Sequence, residues 1–433
     1  MNAVSKNSSA SRPLSTFELA FYGETARVVL PTSYEELLDI VRDAEARKIP
    51  LVPAGVGAHA YLGNPPPPEA LIVSTARLDQ VLRYEPGDFT IGVQAGLPLG
   101  ELQKILSEKG QEIPIDLPAQ PQGTVGGLVA SAQPGPRRGR YGPVRHSVIG
   151  MHAVRGGPSY YKTGGMVVKN VAGYEVASFL TGSLGTASVL LEINFKLRPL
   201  PGQRAAGMAS FASAEQAWEF ARNLRSSHLE PASLWLFRGG DKLHSWPPCL
   251  SGEEKRSPVV WTLEGNSATI AWQEAQVDAL LASQPPETFT SLSAPDLSNY
   301  TDRLCEFPSP GDTARDDLGI VRLAVLPSAT QRLTEDILKA FDDSELELSL
   351  ATDALSGLIT MWWVGEPDRI EEPLPILSAI VRDAGGTGTL LYLPPSHRRA
   401  HRYLLVPDPN AAVAKKFLKA LDPQGIFSPG RRG

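Results

Sequence analysis

Between Arg27 and Pro201 short β-rich apolar runs alternate with apolar positions at helical spacing. Leu37, Leu38, Val41 and Ala44 recur as one face of a helix. Ser33 stands ahead of them as a natural N-cap, and Glu35 and Glu36 place negative charge in the first turn. Ile49 to Val52 reads as a buried strand running into a glycine turn, and Ala70 to Ser74 and Thr90 to Ala95 as further strands. A helix follows from Pro98 to Gly110. Leu191, Ile193, Phe195 and Leu197 alternate along a long strand from Ala187 to Leu197, which Pro199 and Pro201 end. A domain boundary is expected there.

From Ala205 to about Ala400 the pattern changes. Met208 to Phe211, a helix over Ala214 to Ser226, and Ala232 to Phe237 form a β-α-β unit. Val259 to Leu263 with a helix over Ser267 to Ala282 repeats it. Gln284 to Asp317 is rich in Pro, Ser and Asp and reads as a long loop. Ile320 to Leu326, a helix over Thr330 to Phe341, Leu358 to Val364, a helix over Pro375 to Ala384, and Thr389 to Leu393 complete an order suited to an antiparallel sheet with helices on one face. The stretch holding His397 and His401 reads as exposed loop, and Asn410 to Leu421 as a last helix.

A chain of 433 residues is too long for one ordinary core, so more than one domain is expected. The Ser- and Asn-rich start lacks an apolar core of the signal-peptide kind and reads as a disordered leader over residues 1–24. No window is long and apolar enough to span a bilayer. The net charge of −6 argues against a general nucleic-acid binder. Only Cys249 and Cys305 are present, in unlike loops and with no CxxC spacing. They point to a reduced, cytoplasmic protein and exclude an iron–sulfur centre built on this chain's own cysteines.

The candidate chemistry lies in glycine turns. Pro53-Ala54-Gly55-Val56-Gly57-Ala58-His59 follows a strand, so its amides can converge on phosphate oxygens, although it is neither a Rossmann fingerprint nor a Walker loop. Thr124-Val125-Gly126-Gly127 and Gly182-Ser183-Leu184-Gly185-Thr186 repeat the theme. The run from Tyr161 to Glu175 sets glycines beside Lys169 and Asn170. A glycine has no Cβ to hold a ligand away and tolerates positive φ. Jointly these turns imply a nucleotide cofactor cradled by main chain, whereas each alone is an ordinary hairpin. Arg137, Arg138, Arg140 and Arg145 read either as a solvated basic rim or as ligands of an acidic group.

The blocks Gly123-Thr-Val-Gly-Gly-Leu-Val-Ala130, Gly135-Pro-Arg-Arg-Gly-Arg-Tyr-Gly142, Gly164-Gly-Met-Val-Val-Lys-Asn-Val-Ala-Gly-Tyr174 and Gly182-Ser-Leu-Gly-Thr186 occur in this order. With the tail Asp422-Pro…Phe427-Ser-Pro-Gly-Arg431 they resemble the PCMH-type FAD-binding domain of the vanillyl-alcohol-oxidase superfamily. Within it the chain looks most like the family of FAD-binding E subunits of bacterial glycolate oxidases. The resemblance implies an α+β fold: a two-subdomain FAD-binding domain over 25–201, then a sandwich-like cap domain with an antiparallel sheet over 202–400. A tail over 401–433 would return to the FAD domain.

It further implies noncovalent FAD held by Pro53 to His59, by Thr124, Val125, Gly126, Gly127, Ala130 and Ser131, and by Gly182, Gly185, Thr186 and Val189. Arg137, Arg140, Tyr141, Gly142, Lys169, Asn170, Gly173 and Tyr174 are carried over as further cofactor contacts. Some relatives tether flavin through a His in the first turn, but that position falls on Ala58 rather than His59. Catalytic glycolate and lactate members carry a His-rich stretch late in the chain, and Gly385 to Pro394 here holds no His. The implied function is a flavoprotein component oxidising a small 2-hydroxy acid together with a second FAD subunit and an iron–sulfur subunit. A self-sufficient alcohol or hydroxy-acid oxidase and a non-catalytic scaffold are the alternatives. No metal site is expected, and the catalytic residues stay unassigned.

Overall fold

The computed structural model describes residues 12–116, 123–166, 176–239, 250, 256–306, 314–342, 344, 346–398 and 401–432. Three sheets carry the architecture. The first is parallel, in the order Arg27–Val29, Leu71–Ser74, Leu51–Ala54. Helix Tyr34–Arg47 covers one face, capped by Ser33 as its sequence requires, and buries Leu37, Val41 and Ala44 against Leu51 and Val73. The tail extends this sheet: Leu51 N donates to Ile426 O and Ser428 N donates to Leu51 O, each at 2.7 Å.

The second sheet is antiparallel, in the order Val81–Glu85, Thr90–Gln94, Val189–Lys196, Val148–Arg155, Ser159–Gly164. Helices Leu99–Ser107 and Val125–Ser131 pack on it through Leu102, Leu106, Leu128 and Val129. The third sheet has eight antiparallel strands, in the order Thr288–Ser291, Gln203–Phe211, Ser257–Gly265, Ser233–Gly239, Glu347–Asp353, Leu358–Val364, Leu318–Ala324, Thr387–Tyr392. Helices Ala214–Ser226, Ser267–Ser283, Thr330–Ala340 and Pro373–Asp383 cover one face. The other face turns Trp235, Phe237, Trp362 and Tyr392 toward Tyr61, Leu62 and Val52 of the first region. Strands covered on both faces need apolar side chains on both, which is why Leu358–Val364 reads as an apolar run interrupted only by Thr360.

The α+β reading therefore holds, with four corrections. Within the expected leader, Ser15 caps helix Thr16–Tyr22 in a reciprocal capping box with Glu18, and Phe21 and Tyr22 are buried; residues 1–11 lie outside the described ones. The expected loop from Gln284 to Asp317 contains edge strand Thr288–Ser291 and helix Ala294–Glu306, whose Leu297, Tyr300 and Leu304 join the core between the sheets. Strand Glu347–Asp353, unread in the sequence, completes the large sheet. The stretch expected to be exposed around His397 has a helical turn, Pro395–Arg398, with Arg398 fully buried.

Candidate functional site

Strand Leu51–Ala54 ends in a turn whose residues Gly55 to His59 line a narrow cleft. Among the described residues none of these five amides donates a hydrogen bond to another protein group. Gly57 sits at φ 85°, a conformation that costs any other L-residue. Opposite lies helix Val125–Ser131, capped by Thr124, which accepts from Gly127 N at 3.2 Å. Thr124, Gly127, Ala130 and Ser131 share the helical face that lines the cleft.

The turn Gly182 to Gly185 closes the cleft from behind. Gly182 N donates to Val129 O and Leu184 N donates to Ala130 O, both at 2.9 Å. Gly185, at φ 72°, packs its Cα side against the Pro53 ring. Leu184 itself holds φ 54° and lines the cleft, a strained backbone state for a branched residue and one that clusters at ligand sites.

The expected cofactor contacts thus divide. Pro53 to His59, Thr124, Gly127, Ala130 and Ser131 converge on one cleft. Val125 and Gly126 do not: Val125 is fully buried in the core, and Gly126 donates to Ala95 O at 2.7 Å with no room for a Cβ beside Ala95. Thr186 turns its hydroxyl back onto Ser183 O, and Val189 is a buried strand residue of the core. Lys169, Asn170, Gly173 and Tyr174 lie outside the described residues. Burial of the His59 ring pushes its pKa down to about 4, so the imidazole in the cleft is neutral. Of the other lining residues, Gly123, Leu184 and Arg431 stand in the quoted blocks without having been named as contacts, and Tyr22 escaped the sequence reading altogether.

The arginine-rich block does something else. Arg137 donates through Nε to Asp116 at 2.5 Å and through Nη1 to Glu264 at 2.9 Å, and it pairs with Glu112 at 3.2 Å. Arg204, on strand Gln203–Phe211, and Arg198 just before it balance Glu112 and Glu264, and the Tyr141 hydroxyl donates to Glu264. Arg140 pairs with Glu230 at 2.8 Å. Gly142 ends the short helix Arg138–Tyr141 at φ 82°. None of Arg137, Arg140, Tyr141 and Gly142, carried over as cofactor contacts, lines the cleft, and both arginines are paired with carboxylates. Arg137 instead borders a separate cavity of about 640 Å³ beside helix Ala294–Glu306. Burial alone would raise the Glu264 pKa, yet Arg137, Tyr141 and Arg204 hold it below the usual carboxylate range.

Around the cleft three arginines pair with no carboxylate among the described residues. Arg322, on the strand Leu318–Ala324, reaches Gln133 Oε1 at 2.6 Å, and burial pushes its pKa down to about 10. Arg398 has no exposed surface, donates through Nη1 to His401 O at 3.0 Å, and leaves Nε and Nη2 unpartnered. Arg431 leaves Nη1 unpartnered at the cleft itself. Buried donors in surplus over acceptors, with a run of free turn amides, suit an oxygen-rich anion such as a nucleotide pyrophosphate.

Comparison with known proteins agrees with this chemistry. Residues 25–164 match the family model of an FAD binding domain. The chain is 36% identical to glycolate oxidase subunit GlcE of Escherichia coli over 168 residues, 39% of this chain and 47% of that protein. It is 26% identical to a D-lactate dehydrogenase of Anaerostipes hadrus over 294 residues, 62% of this chain and 61% of that protein. The matches therefore span about half the length of the curated relatives. A solved alkyldihydroxyacetonephosphate synthase shares the fold with a TM-score of 0.69 and 17% identity, over 93% of this chain and 76% of that one. Fold and cleft are those of an FAD binding domain, whose family model residues 25–164 match, and the curated relatives that share it are oxidases and dehydrogenases.

Proposed function

We propose that this chain is the FAD-binding component of a 2-hydroxy-acid oxidase or dehydrogenase, using noncovalent FAD and passing electrons to a second flavin subunit and an iron–sulfur subunit. The observation that carries the reading is the donor surplus of the cleft: free amides from Gly55 to His59 opposite the Thr124–Ser131 helix, backed by buried arginines. The amides would hold the pyrophosphate, the buried Glu18 carboxylate beside Gly57 being already paired with Arg12. Bound FAD supplies a two-electron acceptor for hydride from the substrate's alcohol carbon. Arg322 faces the FAD domain from the large sheet, and its neutral partner Gln133 leaves the guanidinium's charge to be matched by the carboxylate of a small acid such as glycolate.

Support for a shared rather than a self-sufficient reaction comes from the missing base. Strand Thr387–Tyr392 carries no His. Burial pushes the Tyr392 hydroxyl up to about 12, and this hydroxyl already donates to Arg315 O at 2.9 Å. Neither feature supplies a proton acceptor near neutral pH. The test is an absorption spectrum before and after acid precipitation, followed by mixing with glycolate and D-lactate, alone and with the partner subunits. Flavin released to the supernatant and bleached only in the assembled complex is the expected result. A colourless protein that FAD cannot reconstitute would sink the proposal.

A further inference from the structure

We propose that Arg431, brought back into the cleft by the C-terminal tail, is the side-chain ligand of the FAD pyrophosphate, and that this contact locks the tail in place. The inference rests on the cleft being the FAD site and adds a residue to it that the glycine motifs do not contain.

The tail is built to deliver this side chain. Asp422 accepts from Gly425 N at 3.0 Å and from Phe427 N at 2.8 Å, folding the segment back on itself. Ile426 and Ser428 then pair with Leu51, the strand that feeds the glycine turn. Asn64 grips the end with both of its donors: its amide N donates to Arg431 O at 2.7 Å and its Nδ2 donates to Gly430 O at 2.8 Å. Gly63 allows the close approach, since a Cβ there would stand 2.6 Å from Arg431 Cγ. The backbone contacts hold the residue, and its guanidinium meets only Ala60 O and the Tyr22 side chain among the described residues.

That guanidinium is buried, only 4% of the residue being exposed. Nη2 donates to Ala60 O at 3.1 Å, the group lies 5.6 Å from the Tyr22 ring centre and interacts with the Tyr22 hydroxyl, and Nη1 has no hydrogen-bond partner among the described residues. No carboxylate among the described residues pairs with it. Glu18, the acid nearest the turn, is already engaged by Arg12 at 2.5 Å and by Ser15 N. Arg398, equally buried and partly unpartnered among the described residues, is close enough to feel its like charge. A buried cation without a counter-charge is costly, and this one opens on the cleft where five amides also lack acceptors. A pyrophosphate bound there satisfies both sets at once.

The test compares wild type, Arg431→Gln and Arg431→Lys as apoproteins, read by thermal melting and by binding titration with FAD, ADP, riboflavin and oxalate. Arg431→Gln is expected to melt higher than wild type without ligand, because an uncompensated charge has gone. It is expected to bind FAD and ADP tenfold or more weakly with riboflavin unchanged, and Arg431→Lys is expected to recover part of the loss. An ADP affinity within twofold of wild type overturns the proposal. A loss confined to oxalate also overturns it, by reassigning the guanidinium to a substrate carboxylate. If Arg431→Gln does not fold, tryptic cleavage at Lys419 in wild-type apoprotein decides: ADP is expected to protect the tail, and no protection overturns the lock. FAD that fails to bind even wild type would remove the FAD reading itself, a different failure from loss of Arg431's role.

Discussion

The contact between the glycine turn and the helix cap gives a sharp test of the cleft. A methyl group on Gly55 would overlap the Thr124 hydroxyl and stand 2.9 Å from its Cγ2 and 3.0 Å from its Cβ. Thr124 cannot yield freely, since its hydroxyl caps the helix through Gly127 N. Gly55→Ala therefore combines overpacking, about 1–3 kcal/mol, with partial loss of the cap, about 1 kcal/mol. Thr124→Ala alone is expected to cost about 1 kcal/mol. In the double variant the hydroxyl and Cγ2 are gone and only the contact at 3.0 Å remains. Its cost should fall below the sum of the singles by about 1–2 kcal/mol, a coupling typical of residues in direct contact. Urea unfolding of the apoprotein measures this cycle, and flavin-fluorescence titration follows FAD affinity through the same set. Gly55→Ala should weaken FAD at least tenfold, because the displaced turn carries the free amides. Additive energies with FAD affinity within twofold of wild type would refute the packing and the placement of the turn together.

Gly126 and Gly127 should part company: Gly126→Ala loses about 1–3 kcal/mol of stability against Ala95, whereas Gly127→Val gives folded protein depleted of FAD, as melting curves and flavin content would show. Arg137→Met should cost about 3–5 kcal/mol by leaving Asp116, Glu112 and Glu264 short of a partner. The pKa of Glu264 is held low in the folded state, so its ionic contribution is present above the unfolded value of 4.5 and lost as pH falls through the folded value. The gap between wild type and Arg137→Met should accordingly narrow on acidification below that range, and unfolding curves across pH would expose a gap that stays constant. His59→Ala should retain acid-extractable FAD, since the neutral ring is a lining residue; flavin that stays with wild-type protein after acid precipitation and is freed by this substitution would point instead to a covalent tether.

Much of the fold was legible because its signals are local. The cap Ser33, the helical spacing of Leu37, Val41 and Ala44, and the apolar runs at Leu358–Val364 depend on neighbours within a few residues. Other elements were not legible for an equally physical reason. Helix Ala294–Glu306 is polar around most of its length and is stabilised by burying Leu297, Tyr300 and Leu304 between sheets, so its Pro- and Ser-rich surroundings read as loop. Helix Thr16–Tyr22 is too short to persist alone and stands on its capping box and on the packing of Phe17 and Phe21 against Tyr61 and Tyr392. Gly126 and Gly127 are neighbours in sequence, yet the helical turn sends one to the core and the other to the cleft.

The sequence by itself determined that glycine turns follow strands at the places where a nucleotide's main-chain cradle is needed, because φ freedom and the lack of a Cβ belong to the residue type. Tertiary structure alone decided which charges serve the cradle. Arg137, inside a block that resembles cofactor-binding motifs, is consumed by three carboxylates from two separate segments. Arg431, hundreds of residues from the turn, is delivered to it unpaired by the pairing of the tail with Leu51. Charge pairing is a property of distance in space, and chain order does not encode it.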